Sequence, residues 1–152
     1  MPSHFHRGLG ISLFLPVGWE GGSSPDFPLL AVGPVAQSYR SNLGFSRSKL
    51  PAVAEVVDRM LEAARAQQNA EYPGFVELSA ESMEIDGHPA FFQTYEWQPP
   101  DTHQPFRQWF GLVRTPDHGL IEVNGATLRS LATTVEPRVL EILHSARFIP
   151  FV

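Results

Sequence analysis

The chain has 152 residues, 43% hydrophobic and 18% charged, with a formal net charge of -5 and no cysteine. That is enough apolar material for one folded domain with a real core, and too much for an intrinsically disordered chain. The 11 Lys and Arg form no run, so nothing points to nucleic acid or an anionic membrane, and the lack of cysteine excludes disulfide frameworks, thiolate metal sites and cysteine nucleophiles.

Met1–Arg7 is not followed by a long apolar run. The apolar stretch Ile11–Leu15 stops at Pro16, short of the roughly 7–15 residues of a secretory core or the about 20 of a spanning helix. With Met1 as the native start, the expectation is a cytoplasmic protein that does not insert into a membrane; export would require a signal removed from this chain.

Leu9–Leu15 alternates well enough for a first strand, ended by Pro16-Val17-Gly18, with Trp19 expected to fold back onto the core. Glu20–Asp26 reads as a loop, and Phe27–Val32, flanked by Pro28 and Pro34, as an edge strand or irregular segment. Ser38–Arg47 is a strand with Tyr39, Ser41, Leu43 and Phe45 on one face and Arg40, Asn42 and Ser46 on the other. Pro51 suits a first helical position, and Ala52–Gln68 carries an apolar stripe of Val53, Val57, Met60, Leu61 and Ala64.

After Tyr72-Pro73-Gly74 the sequence predicts a four-strand meander over Phe75–Ile85, His88–Trp97, Phe106–Arg114 and Gly119–Asn124. Asp86-Gly87 is a strong hairpin signal, because a type I′ turn needs positive φ at both central residues. Val76, Leu78 and Ala80 share one parity while Met83 and Ile85 share the other, which predicts a β-bulge near Glu81-Ser82. Thr127–Thr134 reads as a polar connection. Pro137 is expected to open a second helix, Glu136–His144, with Val139, Leu140 and Leu143 turned inward; Arg147–Pro150 closes the chain as an extended tail. Consecutive strands with tight turns exclude a parallel doubly wound sheet. The predicted class is α+β, in one domain over 1–152: a twisted antiparallel sheet of about six to seven strands with two helices packed on it.

No nucleophile elbow, phosphate-binding loop, dinucleotide fingerprint or zinc-protease motif is present. His4-x-His6 would project two rings to one side of a strand, but a zinc site needs further ligands, and the plain reading is a frayed terminus. His88, His103 and His118 sit at or near turns and read as loop histidines. The aromatic set says more. Phe91, Tyr95 and Trp97 fall at even spacing on one strand, and Trp109 and Phe106 lie on the next. Either these rings pack under the helices, or one sheet face presents Tyr95, Trp97, Phe106 and Trp109 to a partner. Aromatics with a polar handle suit such half-wet surfaces.

The order of short motifs carries a resemblance. The Pro16-Val17-Gly18-Trp19 turn is followed by an Arg40-Ser41-Asn42-Leu43 strand, Leu50-Pro51 before a helix, and an Asp86-Gly87-His88-Pro89-Ala90 hairpin. The chain closes with Ile142-Leu143-His144-Ser145-Ala146-Arg147-Phe148. Together these resemble the PsbP/Mog-like superfamily, including the DcrB-like and LpqN-like bacterial proteins and the Eag chaperones of type VI secretion. The Pro-rich Phe27–Pro34 stretch is closer to the LpqN-like proteins. PsbP and the lipoproteins carry export signals, and none is expected here. The resemblance implies binding and scaffolding rather than catalysis. The expectation is a non-enzymatic interaction module, adaptor or chaperone-like, with no cofactor or metal. Its partner would be a protein, with a second copy of the chain as one candidate. The alternatives are a carrier of a small apolar ligand between sheet and helices and, third, a hydrolase without a recognised motif.

Overall fold

Asp86 and Gly87 take φ of 49° and 77°, the two-residue type I′ turn that Asp-Gly favours. The computed structural model describes residues 3–6, for these the backbone only, and 9–149. The turn joins β6 (Val76–Ile85) to β7 (His88–Trp97), with Ile85 opposite His88. β8 (Phe106–Arg114) and β9 (Leu120–Leu128) complete the meander. β5 (Tyr39–Arg47) pairs with β9, β4 (Leu29–Ala36) with β5, and the short β3 (Glu20–Gly22) with β4. The result is a seven-stranded antiparallel sheet of order β3-β4-β5-β9-β8-β7-β6. A second sheet places β2 (Ile11–Phe14) between β1 (Ser3–His6) and β10 (Arg147–Phe148). The helices are α1 (Ala54–Glu71) and α2 (Ala132–Ser145), the latter preceded by a 3-10 turn, Arg129–Leu131.

The register assigns the faces of the large sheet, since directly opposed residues share a face. One face carries Leu43 and Phe45, Val123, Trp109 and Val113, and Phe92. β2 and α2 cover it: Ile11, Leu13 and Leu15 join Val139, Ile142 and Leu143 in a single core with those residues. Arg107 ties α2 down, reaching Glu96 at 2.8 Å and Glu136 of α2 at 3.1 Å. The other face carries Phe91, Gln93, Tyr95 and Trp97, and Gln108, Asn124 and Asn42; α1 covers part of it, with Gln68 against Gln93 and its first turns facing Phe91, Leu112 and Leu120. A Cβ built on Gly87 has open space around it, so the cost of Gly87→Val is backbone strain alone. That variant is expected to lose on the order of 1 kcal/mol. A urea midpoint identical to the parent's would refute the turn's role.

Several expectations need correction. The bulge lies at Leu78, between Glu77 and Ser79, and not at Glu81-Ser82. Val76 and Leu78 are 55% and 45% exposed, so their parity does not mark a core face. β9 runs on through Leu128, and α2 begins at Ala132 rather than Glu136, so Thr127–Thr134 is not a free connection. Ala132, Val139, Ile142 and Leu143 are buried at helical spacing, with Val135 half-buried between them, so the stripe starts a full turn before Pro137, which lies inside the helix. Leu140 is exposed, and Ile142 takes the inward position assigned to it. The first helix starts two residues later than expected and ends at Glu71, and Val53 is exposed at its N-cap. Phe27–Val32 contributes to an interior strand, because Glu20–Gly22 pairs outside it; Pro34 falls where the β4–β5 register shifts. Leu9–Leu15 supplies β2 of the second sheet rather than a strand of the large one. Trp19 is buried as expected, against Gly33.

Candidate functional site

The face that carries α1 is only partly covered, and its uncovered part follows from α1's own chemistry. Gln68 is the helix's only fully buried side chain. Its amide exchanges two hydrogen bonds, 2.8 and 2.9 Å, with Gln93 of β7, and Gln93 also donates to Glu77. Glu77 in turn meets Arg65. One turn beyond Gln68, Tyr72 stacks on Trp97 with centroids 4.1 Å apart and planes at 19°. Tyr72 and Phe75 also flank Tyr95. Across the sheet, Phe27 packs on Gly44, where a Cβ would come within 2.5 Å of its ring. Between these aromatic walls is a hollow of about 250 Å³ floored by Asn42, Gln108, Asn124 and Ala126.

The register divides the four aromatics expected at a site. Trp97 lies opposite Phe106 and Tyr95 opposite Gln108, so Tyr95, Trp97 and Phe106 share the α1 face. Trp109 lies opposite Thr94, points to the other face and is 1% exposed in the core. Its assignment to the same surface is corrected by parity: it is an odd-numbered residue on β8, and Phe106 an even one. Tyr95 is also buried; its hydroxyl donates to Gln108 at 2.9 Å, and burial, then Tyr72, pushes its phenol well above the usual range. Trp97 and Phe106 are half-buried, Phe106 packing edge-on against Tyr39 at 5.3 Å. Tyr72, Phe27, Asn42, Gln108 and Asn124 were not expected at a site. The polar parity of β5, with Arg40, Asn42 and Ser46 opposite a buried set, was the available signal.

Glu122, on the same face as Asn124, has its carboxyl raised by burial. A larger hollow, about 470 Å³, lies elsewhere and is lined in part by Arg47, Asp86, His88, Asp117 and Phe148. Its charges already have partners: Arg47 meets Asp117, and Arg147 meets Asp86. The Thr115 hydroxyl, followed by Arg47, holds Asp117 below the usual carboxylate range. Among the described residues no group of three or more His, Asp or Glu is placed to hold a metal. The backbone of Ser3–His6 forms β1, but the side chains of His4 and His6 lie outside the described residues. Among the described residues no helix is long and apolar enough to cross a membrane.

No protein-family model and no curated protein matches the chain. The fold is that of the PsbP/Mog-like proteins. LpqN of Mycobacterium tuberculosis, described as involved in cell envelope biogenesis, shares it with a TM-score of 0.71 at 14% identity, over 92% of this chain and 83% of that one. Cyanobacterial PsbP (CyanoP) of Synechocystis shares it at 0.63 and 16%, over 97% and 91%. The Ran-binding protein Mog1p of Saccharomyces cerevisiae shares it at 0.61 and 11%, over 97% and 95%.

Proposed function

We propose that this chain is a non-enzymatic interaction module that takes a protein partner on the sheet face α1 leaves open. The observation that carries the reading is the hollow between Phe27 and Tyr72, whose floor of Asn42, Gln108, Asn124 and Ala126 is covered by no element among the described residues. An antiparallel sheet commonly packs one face on the core and leaves the other solvated and polar. This one combines amide groups with flanking aromatic rings, the mixture enriched at recognition surfaces. One structural neighbour is described as Ran-binding and another as acting in envelope biogenesis, which fits binding or accessory work on this fold.

Asn124→Arg and Ala126→Arg each place a long cation in the hollow. Each is expected to keep the melting transition within about 1 kcal/mol of the parent, as changes away from the core do. Each is also expected to lose the protein that the parent enriches by affinity purification from its source cell. Retention of that protein by both variants would refute the reading.

A further inference from the structure

The N-terminal half of α1 does not close onto the sheet. Ala54, Val57, Asp58 and Leu61 occupy one helical stripe, which faces Phe91, Leu112 and Leu120 across a groove of about 310 Å³. The amide pair at Gln68 fixes the other end of the helix, so the groove is open where the stripe is most apolar. Val57 and Leu61 remain half-buried, and Leu50 and Val53 at the groove's approach are 49% and 50% exposed.

The charge of the molecule is concentrated on the same segment. Residues 54–85 hold seven carboxylates against two guanidiniums, a balance of -5 that equals the formal charge of the whole chain. The two cations are already engaged, Arg59 with Glu55 and Arg65 with Glu77. Asp58 lines the groove, Glu62 lies one turn further on, and Glu84 stands on β6 opposite Pro89 and two residues from Ser82, both of which line it; all three carboxylates are exposed. Among the described residues none of these three has an ion-pair partner. Among the described residues Arg114 is the single cation lining the groove.

We infer that this groove receives a basic segment of the partner protein, with an apolar side chain of that segment between α1 and Phe91 and its Lys or Arg side chains facing Asp58, Glu62 and Glu84. Charge complementarity selects this occupant. A second copy would bring the same carboxylates against themselves, and like charges across a contact are costly. The inference rests on the reading that the chain binds a protein, and adds where a second part of that protein lies and what chemistry it presents.

The test uses the full chain and three short dye-labelled peptides of one length: alternating lysine and leucine, alternating glutamate and leucine, and alternating lysine and serine. Fluorescence anisotropy is expected to show binding of the lysine–leucine peptide that weakens with added salt. Binding of the other two is expected to be at least about tenfold weaker, since each lacks either the charge or the apolar anchor. D58K with E62K, and separately Ala54→Trp to fill the groove, are each expected to weaken it by a similar factor. Asn124→Arg, in the hollow, is expected to leave peptide binding unchanged, so the groove and the hollow are judged separately. Equal binding of lysine–serine would overturn the inference, as would indifference to Ala54→Trp. A parent dimer dissociated by Ala54→Trp would also overturn it, in favour of a second copy.

Discussion

Trp109→Ala is expected to cost about 3–5 kcal/mol, the range for truncating a large ring in a packed core. For a domain of this size, whose total stability is on the order of 5–15 kcal/mol, that corresponds to a fall in melting temperature of roughly 10 °C or more. Trp109 is 1% exposed in mid-strand, on the face covered by β2 and α2, beside Gly125 where no side chain can refill the space. A Cβ at Gly125 would already meet the Asn42 carbonyl at 2.7 Å. The indole N–H of Trp109 is buried without a partner, so its polar group does not contribute to this cost. Trp109→Phe keeps most of the ring and removes the orphan donor, and should cost less than half as much. Trp97→Ala serves as the contrast. Its ring is half-buried on the α1 face and stacks on Tyr72, so the loss should be nearer about 1 kcal/mol. Equal losses from Trp97→Ala and Trp109→Ala in thermal melts would contradict the assignment of the two rings to opposite faces.

Gln93→Leu is expected to cost about 2–3 kcal/mol, because it leaves the buried Gln68 amide without its partner. Gln68 and Gln93 are 3% and 1% exposed. Gln68→Leu with Gln93→Leu together should recover much of that loss, since neither side is then unpaired. The location of the effect is as informative as its size. With Gln68 as α1's only fully buried side chain, Gln93→Leu should raise hydrogen exchange in α1 well above that in β8 and β9. Tyr72 lies one turn past Gln68, so the same variant should loosen one wall of the hollow. Uniform exchange changes across sheet and helix would refute the view that the amide pair is a principal seat of α1.

The meander was legible because local chemistry and pattern agreed there. Asp86-Gly87 imposes its turn whatever surrounds it, and β7 and β8 have the bounds their alternation predicts. Errors arose where an apolar residue is not a core residue. Val76 and Leu78 lie on an edge strand and are exposed, and reading them as inward moved the bulge by three residues or more. Proline's preference for the first turn makes Pro137 read as a helix start, but the buried stripe from Ala132 through Leu143 outweighs that preference. The candidate site was only half legible. Parity along β7 gave Tyr95 and Trp97 a common face, whereas the relation of Trp109 to them depends on the cross-strand register, which a single sequence does not display. The hollow joins Phe27, Asn42, Tyr72 and Asn124 from four separate elements, and only the folded sheet brings them together.

The central claim, that the open sheet face receives the partner, is tested most directly by photo-crosslinking from defined positions in the source cell. A photoreactive residue replaces Asn124 in the hollow and, in a second protein, Arg138 on the exposed side of α2 behind the opposite face. A discrete adduct to one protein is expected from position 124 and none above background from position 138. Adducts of equal yield from both positions, or from position 138 alone, would contradict it.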